Sequence, residues 1–135
     1  GPLYKMAISG DYTLKQIKRK NYGNGGMVAY LGTNDGFEIE KRINEGDEFA
    51  KFILEVMCYQ VSKEIGSAAT VLKGQVDAIV LTGGLAYDKM IIDLIKERVS
   101  FLGNILVFPG EDEMEALAFG GLRVLTGQEN AKEYK

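Results

Sequence analysis

The segment from Val76 to Asp88 constrains the fold of this chain more than any other. It begins with an apolar run too short for a buried helix, stops at Gly83 and Gly84, and then resumes with a helical pattern. A short, nearly continuous apolar run is typical of a strand in a parallel sheet covered on both faces. Adjacent glycines let the backbone approach a ligand closely, and ligands usually bind at this edge of an open α/β sheet. The segment therefore predicts a strand, a turn and a helix that form a nucleotide-binding corner.

Apolar spacing predicts the elements of the second half of the chain. Residues 47–72 carry apolar side chains at helical spacing from Phe49 to Leu72, which we interpret as a helix with a core-facing stripe. A helix over 88–99, a strand over 105–108 and a helix over 112–125 follow. This alternation predicts an α/β fold with parallel strands.

The first half is less regular. A short helix is expected over 13–20 with Thr13 as its cap, then a glycine-rich turn over 21–26. Residues 27–31 are apolar and fit either a strand or a buried loop. Two or three strands do not make a stable α/β sheet. The pattern therefore indicates neighbouring strands elsewhere, a partner chain, or an unrecognised strand near the start.

Composition restricts the possible functions. The 135 residues suit one domain, and the alternating charges, with a net charge of -3, lack the clustered basic face that nucleic-acid binding needs. No apolar run is long enough to cross a bilayer, and no signal segment is evident. The absence of histidine excludes Ser-His and Cys-His nucleophiles and a Cys/His zinc site. The single cysteine, Cys58, is expected to be a buried core thiol, which fits a reducing cytoplasm.

Three polar motifs follow predicted strands or start predicted helices, and each has two interpretations. Thr82-Gly83-Gly84 is either a ligand-binding turn or a tight turn without a ligand. Thr33-Asn34-Asp35 is either a helix cap or a polar turn of an active site. Glu111-Asp112-Glu113 either complements a helix dipole or contacts a magnesium-bound phosphate, because Mg²⁺ prefers oxygen ligands. Neither a P-loop nor a GxGxxG fingerprint is present.

In combination these motifs resemble the butyrate kinases of the acetate and butyrate kinase family, in the actin-like ATPase superfamily. The resemblance covers nearly the whole chain. The matching segments are 9–14, 27–35, 63–66, 71–74, 76–84, 95–101 and 109–118. It implies part of an actin-like ATPase (ribonuclease H-like) domain. It also implies ATP-dependent phosphorylation of butyrate, a short-chain carboxylate, to butyryl phosphate, with Mg²⁺ as the metal.

The resemblance also implies roles for particular residues. It assigns Thr82, Gly83, Gly84 and Leu85 to the adenosine-binding turn. It places Asn34 and Asp35 at the catalytic cleft. It places Glu111, Asp112 and Glu113 near the magnesium ion. Related acetate kinases carry an arginine where this chain has Phe37, so no catalytic role is predicted there.

The family's phosphate-binding glycine turns, acyl pocket and amino-terminal lobe have no counterpart in this chain. We therefore expect residues 1–135 to form the carboxyl-terminal, nucleotide-side lobe of a longer two-domain kinase, inactive alone and paired as a homodimer. One alternative is a non-catalytic module that self-associates. Another is part of a kinase for a branched or other carboxylate.

Overall fold

The computed structural model describes residues 2–110 and 112–131. Seven α-helices and two strands follow one another in these ranges, with one 3₁₀ turn, Gly84–Tyr87, between β1 and α6. They are α1 Pro2–Ile8, α2 Leu14–Asn21, α3 Gly26–Leu31, α4 Gly36–Asn44, α5 Glu48–Val71, β1 Ala78–Gly83, α6 Lys89–Val99, β2 Asn104–Pro109 and α7 Glu113–Leu125. The predicted α/β class and the predicted order of helices and strands in the second half are confirmed.

The sheet consists of β1 and β2, which pair in parallel from Ala78 opposite Asn104 to Gly83 opposite Pro109. The helix α6 connects them, so both strands end at the same edge of the sheet. This edge carries the predicted nucleotide corner and the start of α7.

The main core lies between one face of the sheet and the helices α5 and α6. Its buried members are Leu54, Cys58, Ile79, Ile91, Ile95 and Val99. Cys58 is buried as predicted, and burial, followed by the nearby carboxylate of Asp88, raises the pKa of its thiol to about 11. The thiol therefore stays protonated at neutral pH and acts as a small apolar side chain.

A second, smaller core joins α3 and α4 to the start of α5. Leu31, Ile39, Ala50 and Ile53 are its buried members. The strand or buried loop predicted over residues 27–31 is wrong, because these residues lie in the helix α3. A short apolar run has no distinctive period, and a helix satisfies its own backbone hydrogen bonds without a neighbouring strand. The proposed early strand is also wrong: the described residues before β1 contain only helices and loops.

An ion pair fixes how α4 meets α5. Asp47 caps α5 by accepting from the Ala50 amide at 2.9 Å, and it also accepts from Arg42 Nη2 at 2.7 Å. Arg42 Nη1 in turn donates to the carbonyl of Leu31 at the end of α3. One guanidinium thus links three helices.

Two expectations about burial are wrong. The stripe on α5 is core-facing only in part, because Ile53 and Ala69 are buried while Phe49, Phe52 and Leu72 are exposed. The second concerns the sheet, whose faces were both expected to be covered. Side chains alternate along a strand, and the outward set, which includes Val80, Leu106 and Phe108, is exposed. With two strands, the sheet is too narrow to cover the stripe, and no described element covers its outer face.

None of the helices in the described ranges is both long enough and apolar enough to span a bilayer.

Candidate functional site

The ends of β1 and β2 are joined by two glycines. The Gly83 amide donates to the Gly110 carbonyl at 3.2 Å, and the Gly110 amide donates back to the Gly83 carbonyl at 3.1 Å. Both residues have positive φ, +86° at Gly83 and +104° at Gly110. Gly83 combines this φ with a ψ of -178°, a region that is essentially restricted to glycine. The adjacent glycines of the sequence thus have different roles, since Gly83 is required by the backbone.

Gly84 starts the 3₁₀ turn and is open to solvent on the side where a side chain would project. A Cβ added at Gly84 would meet no atom within 4 Å. The turn ends at Asp88, whose Oδ1 accepts from the amides of Met90 and Ile91 and caps α6. Gly84 is therefore a position in this turn at which a ligand could approach the backbone without hindrance from the protein.

The polar turn before α4 is a helix cap, as one of its two interpretations predicted. Asp35 Oδ1 accepts from the Phe37 amide at 3.0 Å, and the Asp35 amide donates to Thr33 Oγ1 at 3.1 Å. This cap places the start of α4 beside the 3₁₀ turn. A Cβ added at Gly36 would lie 3.8 Å from Leu85 Cδ2.

A cavity of about 350 Å³ lies between these two segments. Its volume is in the range of small-molecule sites. One wall comes from the start of α4 and the other from the 3₁₀ turn and its cap. The lining residues are Asp35, Gly36, Phe37, Glu40, Gly84, Leu85, Tyr87 and Asp88. The structure thus brings Asp35 together with Gly84 and Leu85, although the two motifs are far apart in the sequence.

None of the other predicted site residues that the structure describes is among the residues that line this cavity. Asn34 is exposed. Thr82 lies on β1, with its hydroxyl donating to the Gly110 carbonyl at 3.5 Å. Gly83 forms the backbone bridge. Asp112 and Glu113 are exposed at the start of α7, and Glu111 lies outside the described residues.

The predicted acidic metal cluster is only partly described. Among residues 2–110 and 112–131, no three side chains of the histidine, cysteine, aspartate or glutamate type are grouped so as to hold a metal ion. Asp112 occupies the cap position of α7 but makes no capping hydrogen bond with its side chain. These carboxylates are thus accessible but do not form a cage.

The cavity is negatively charged and otherwise apolar. Its lining includes three carboxylates, Asp35, Glu40 and Asp88, and no lysine or arginine. Asp35 and Asp88 each accept hydrogen bonds from helix amides. Carboxylates at this density repel a phosphate and favour a ligand group that donates hydrogen bonds.

Five of the eight lining residues were not predicted as site residues: Gly36, Phe37, Glu40, Tyr87 and Asp88. Phe37 and Glu40 are three positions apart on α4, so helical geometry puts them on one face, next to the capping Asp35. This spacing was a usable signal. Tyr87 had none, because its position depends on tertiary structure. A Cβ added at Gly110 would lie 2.8 Å from the Tyr87 hydroxyl, so the side chain reaches across to the end of β2.

Comparison with known proteins matches the chain to one protein family. Residues 4–131 match the Acetokinase family. The chain is 55% identical over 130 residues to probable butyrate kinase 2 of Caldanaerobacter subterraneus subsp. tengcongensis, covering 96% of this chain and 37% of that protein. It is 53% identical over 135 residues to butyrate kinase 2 of Clostridium acetobutylicum, covering 100% of this chain and 38% of that protein. The chain therefore spans less than two fifths of the length of these relatives.

Solved structures share the fold. The crystal structure of Porphyromonas gingivalis acetate kinase superposes with a TM-score of 0.80 at 20% identity, over 93% of this chain and 38% of that one. A propionate kinase from Francisella tularensis superposes with a TM-score of 0.68 at 22% identity, over 82% of this chain and 34% of that one. At these identities the likeness concerns the fold alone, and it agrees with the predicted fold class. The family match covers nearly the whole chain, and the chain therefore belongs to the Acetokinase family.

Proposed function

We propose that this chain supplies the nucleotide side of a kinase that uses ATP to phosphorylate butyrate to butyryl phosphate. The observation that carries the proposal is the cavity between α4 and the 3₁₀ turn, where two motifs predicted separately converge. The identity of more than half to proteins named butyrate kinase supports butyrate as the acceptor.

The charge of the cavity supports one orientation of the nucleotide. Because its lining carries three carboxylates and no basic side chain, the base enters the cavity and the phosphates stay outside. Phe37, Leu85 and Tyr87 supply apolar surface for a flat ring. The phosphates then lie toward the strand ends, where phosphoryl transfer depends on positioning and on stabilising charge.

We propose that Gly84 permits this approach. A Gly84→Val change puts a branched side chain into open space beside the cavity, so it should crowd the nucleotide without disturbing the protein. Affinity for ADP, measured by calorimetry, should fall by roughly 30-fold, about 2 kcal/mol. Gly66→Val is the matched control, because a Cβ at Gly66 on α5 also meets nothing within 4 Å. Undiminished ADP affinity in Gly84→Val would remove the turn from the site.

Magnesium is the metal that suits this proposal. Asp112 and Glu113 are accessible oxygen donors at the strand ends, but the described residues provide no three-carboxylate cage. Mg²⁺ usually keeps several waters and binds through one or two carboxylates plus substrate phosphates. We therefore propose that these residues, with Glu111, hold it largely through water, where it would neutralise phosphate charge.

The magnesium proposal and the capping interpretation predict different results for Glu113→Gln in the full-length kinase. If the carboxylate helps hold the metal, the magnesium concentration needed for half-maximal activity should rise while the melting temperature stays the same. If it serves only the helix dipole, the variant melts earlier and its magnesium dependence does not change.

We further propose that this chain forms one lobe of a two-domain kinase, with Asn34 and Asp35 facing its cleft. The exposed outer face of the sheet, with Val80 and Phe108, supports a neighbour in the longer relatives. The same exposed face leads us to expect that the isolated chain self-associates, which the alternative of a non-catalytic module also requires.

A further inference from the structure

We propose that Glu40 reads the base of the bound nucleotide and that the cavity takes guanine at least as well as adenine. This inference rests on the proposed function, because it names the base that occupies the cavity described above. It goes beyond that function by assigning base selectivity to a residue on α4.

Glu40 differs from the other two carboxylates of the cavity. Asp35 and Asp88 are held by helix amides. Glu40 is half-buried, and in the described part of the chain it has neither a side-chain hydrogen bond nor an ion pair. A half-buried carboxylate without a partner favours a ligand that donates to it.

The neighbouring basic residues of α4 are engaged elsewhere. Lys41 Nζ lies 3.8 Å from Glu45 Oε1, and Arg42 Nη2 lies 2.7 Å from Asp47 Oδ2. The negative charge of Glu40 is thus left for the occupant of the cavity. Phe37 lies three positions before Glu40 on the same helix and lines the same cavity. A base lying against Phe37 would bring its edge toward the carboxylate.

Hydrogen-bond chemistry decides which base fits. An ionised carboxylate only accepts hydrogen bonds, and it can accept two in parallel. Guanine presents two adjacent donors, the ring N1–H and the 2-amino group. Adenine presents its 6-amino donor next to the N1 acceptor, whose lone pair a carboxylate repels. Hypoxanthine offers N1–H alone. We therefore expect GDP to bind at least as tightly as IDP, the nucleotide of hypoxanthine. ADP should bind no more tightly than either.

An isosteric substitution should reverse this order. Glu40→Gln keeps the size of the side chain but replaces the carboxylate by an amide, which has one acceptor and one donor. This pair complements the adjacent donor and acceptor of adenine. Glutamine and asparagine recognise adenine in the same way in nucleic acids. The ratio of ADP to GDP affinity should rise by about tenfold. Glu38→Gln is the matched control, because Glu38 is an exposed residue of the same helix outside the cavity lining, and it should leave the ratio unchanged.

The experiment is calorimetric titration of the 135-residue chain and its variants with ADP, GDP and IDP. Binding of GDP more than tenfold weaker than ADP by the unsubstituted chain overturns the inference. So does an unchanged ratio in Glu40→Gln, or the same change in Glu38→Gln. The nucleotides could bind, with their affinity lowered by Gly84→Val but with the ratio of ADP to GDP affinity unchanged by Glu40→Gln. In that case this inference fails and the proposed function stands. If no nucleotide binds, both fail.

Discussion

At the scale of single residues, the two adjacent glycines differ in role: one is required by the backbone conformation and the other leaves room for a ligand. Gly83 adopts a conformation that side chains disfavour and uses its amide and carbonyl to join the strand ends. Gly84 has an ordinary conformation and open space beside it. A sequence motif that looks like one unit therefore contains a structural glycine followed by one suited to ligand approach.

This difference predicts opposite outcomes for the same substitution. Gly83→Ala should lower the free energy of unfolding by roughly 1–3 kcal/mol, because alanine must adopt the strained φ and ψ. Gly84→Ala should change it by less than about 0.5 kcal/mol. Urea unfolding of both variants measures the difference. Equal effects at the two positions would contradict the assigned conformations.

At the scale of elements, helix caps and one buried face determine the arrangement of the helices. Thr13 and Gln16 form a reciprocal capping box at the start of α2, and Asp35, Asp47 and Asp88 cap three further helices. Caps are local, so they form wherever the sequence supplies them. The packing of α5, unlike a cap, depends on distant parts of the chain, because the elements that contact α5 determine which of its faces is buried.

The cap at Asp47 should make stability depend on pH. The Ala50 amide, and next the Arg42 guanidinium, hold the pKa of Asp47 below its ordinary value of 3.8. Because the folded state favours the ionised carboxylate, this stabilisation is present above about pH 3.8 and is lost as the pH falls through the lowered pKa.

The Asp47→Asn variant tests this prediction, because asparagine keeps a capping oxygen but loses the charge. It should be less stable than the unsubstituted chain at pH 7, and the difference should shrink toward pH 3. Urea unfolding at both pH values measures it, with Asp77→Asn as the control at an exposed residue. A difference that does not vary with pH would show that the charge of Asp47 does not stabilise the fold.

At the scale of the whole molecule, the chain exposes surface that a stable sheet normally covers. The exposed fractions are 54% for Val80 and 59% for Phe108 on the outer face of the sheet, and α7, described in full, buries no residue. Two-stranded sheets are marginal by themselves, and exposed apolar patches favour association.

We therefore expect the isolated chain to form dimers or larger species at micromolar concentration, and to show no butyrate kinase activity. Light scattering measures the association state, and an acyl phosphate assay measures the kinase activity. Replacing Leu106 and Phe108 together by serine should shift the chain toward the monomer. Phe101→Ser, at an exposed residue outside the strands, should not. A monodisperse monomer of the unsubstituted chain would contradict the prediction.

The sequence by itself determined the features whose causes are local. Spacing and nearby side chains predicted a helix over 47–72 and a strand over 105–108, and the structure has them over 48–71 and 104–109. The cap at Asp35 is also local, and it was one of the two interpretations of its motif. Motifs that are specific in combination also predicted the acetate and butyrate kinase family, and the family match confirms it.

Only the tertiary structure decided what depends on distant contacts. It made residues 27–31 a helix, because no described strand lies beside them to pair with. It left Phe52 exposed and Leu54 buried on the same helix, since two strands cover only part of α5. It also brought Glu40 to the cavity beside Gly84 and left its carboxylate unpaired among the described residues. Spacing along a chain specifies a helix face, but the element that meets that face is set by packing across the whole molecule.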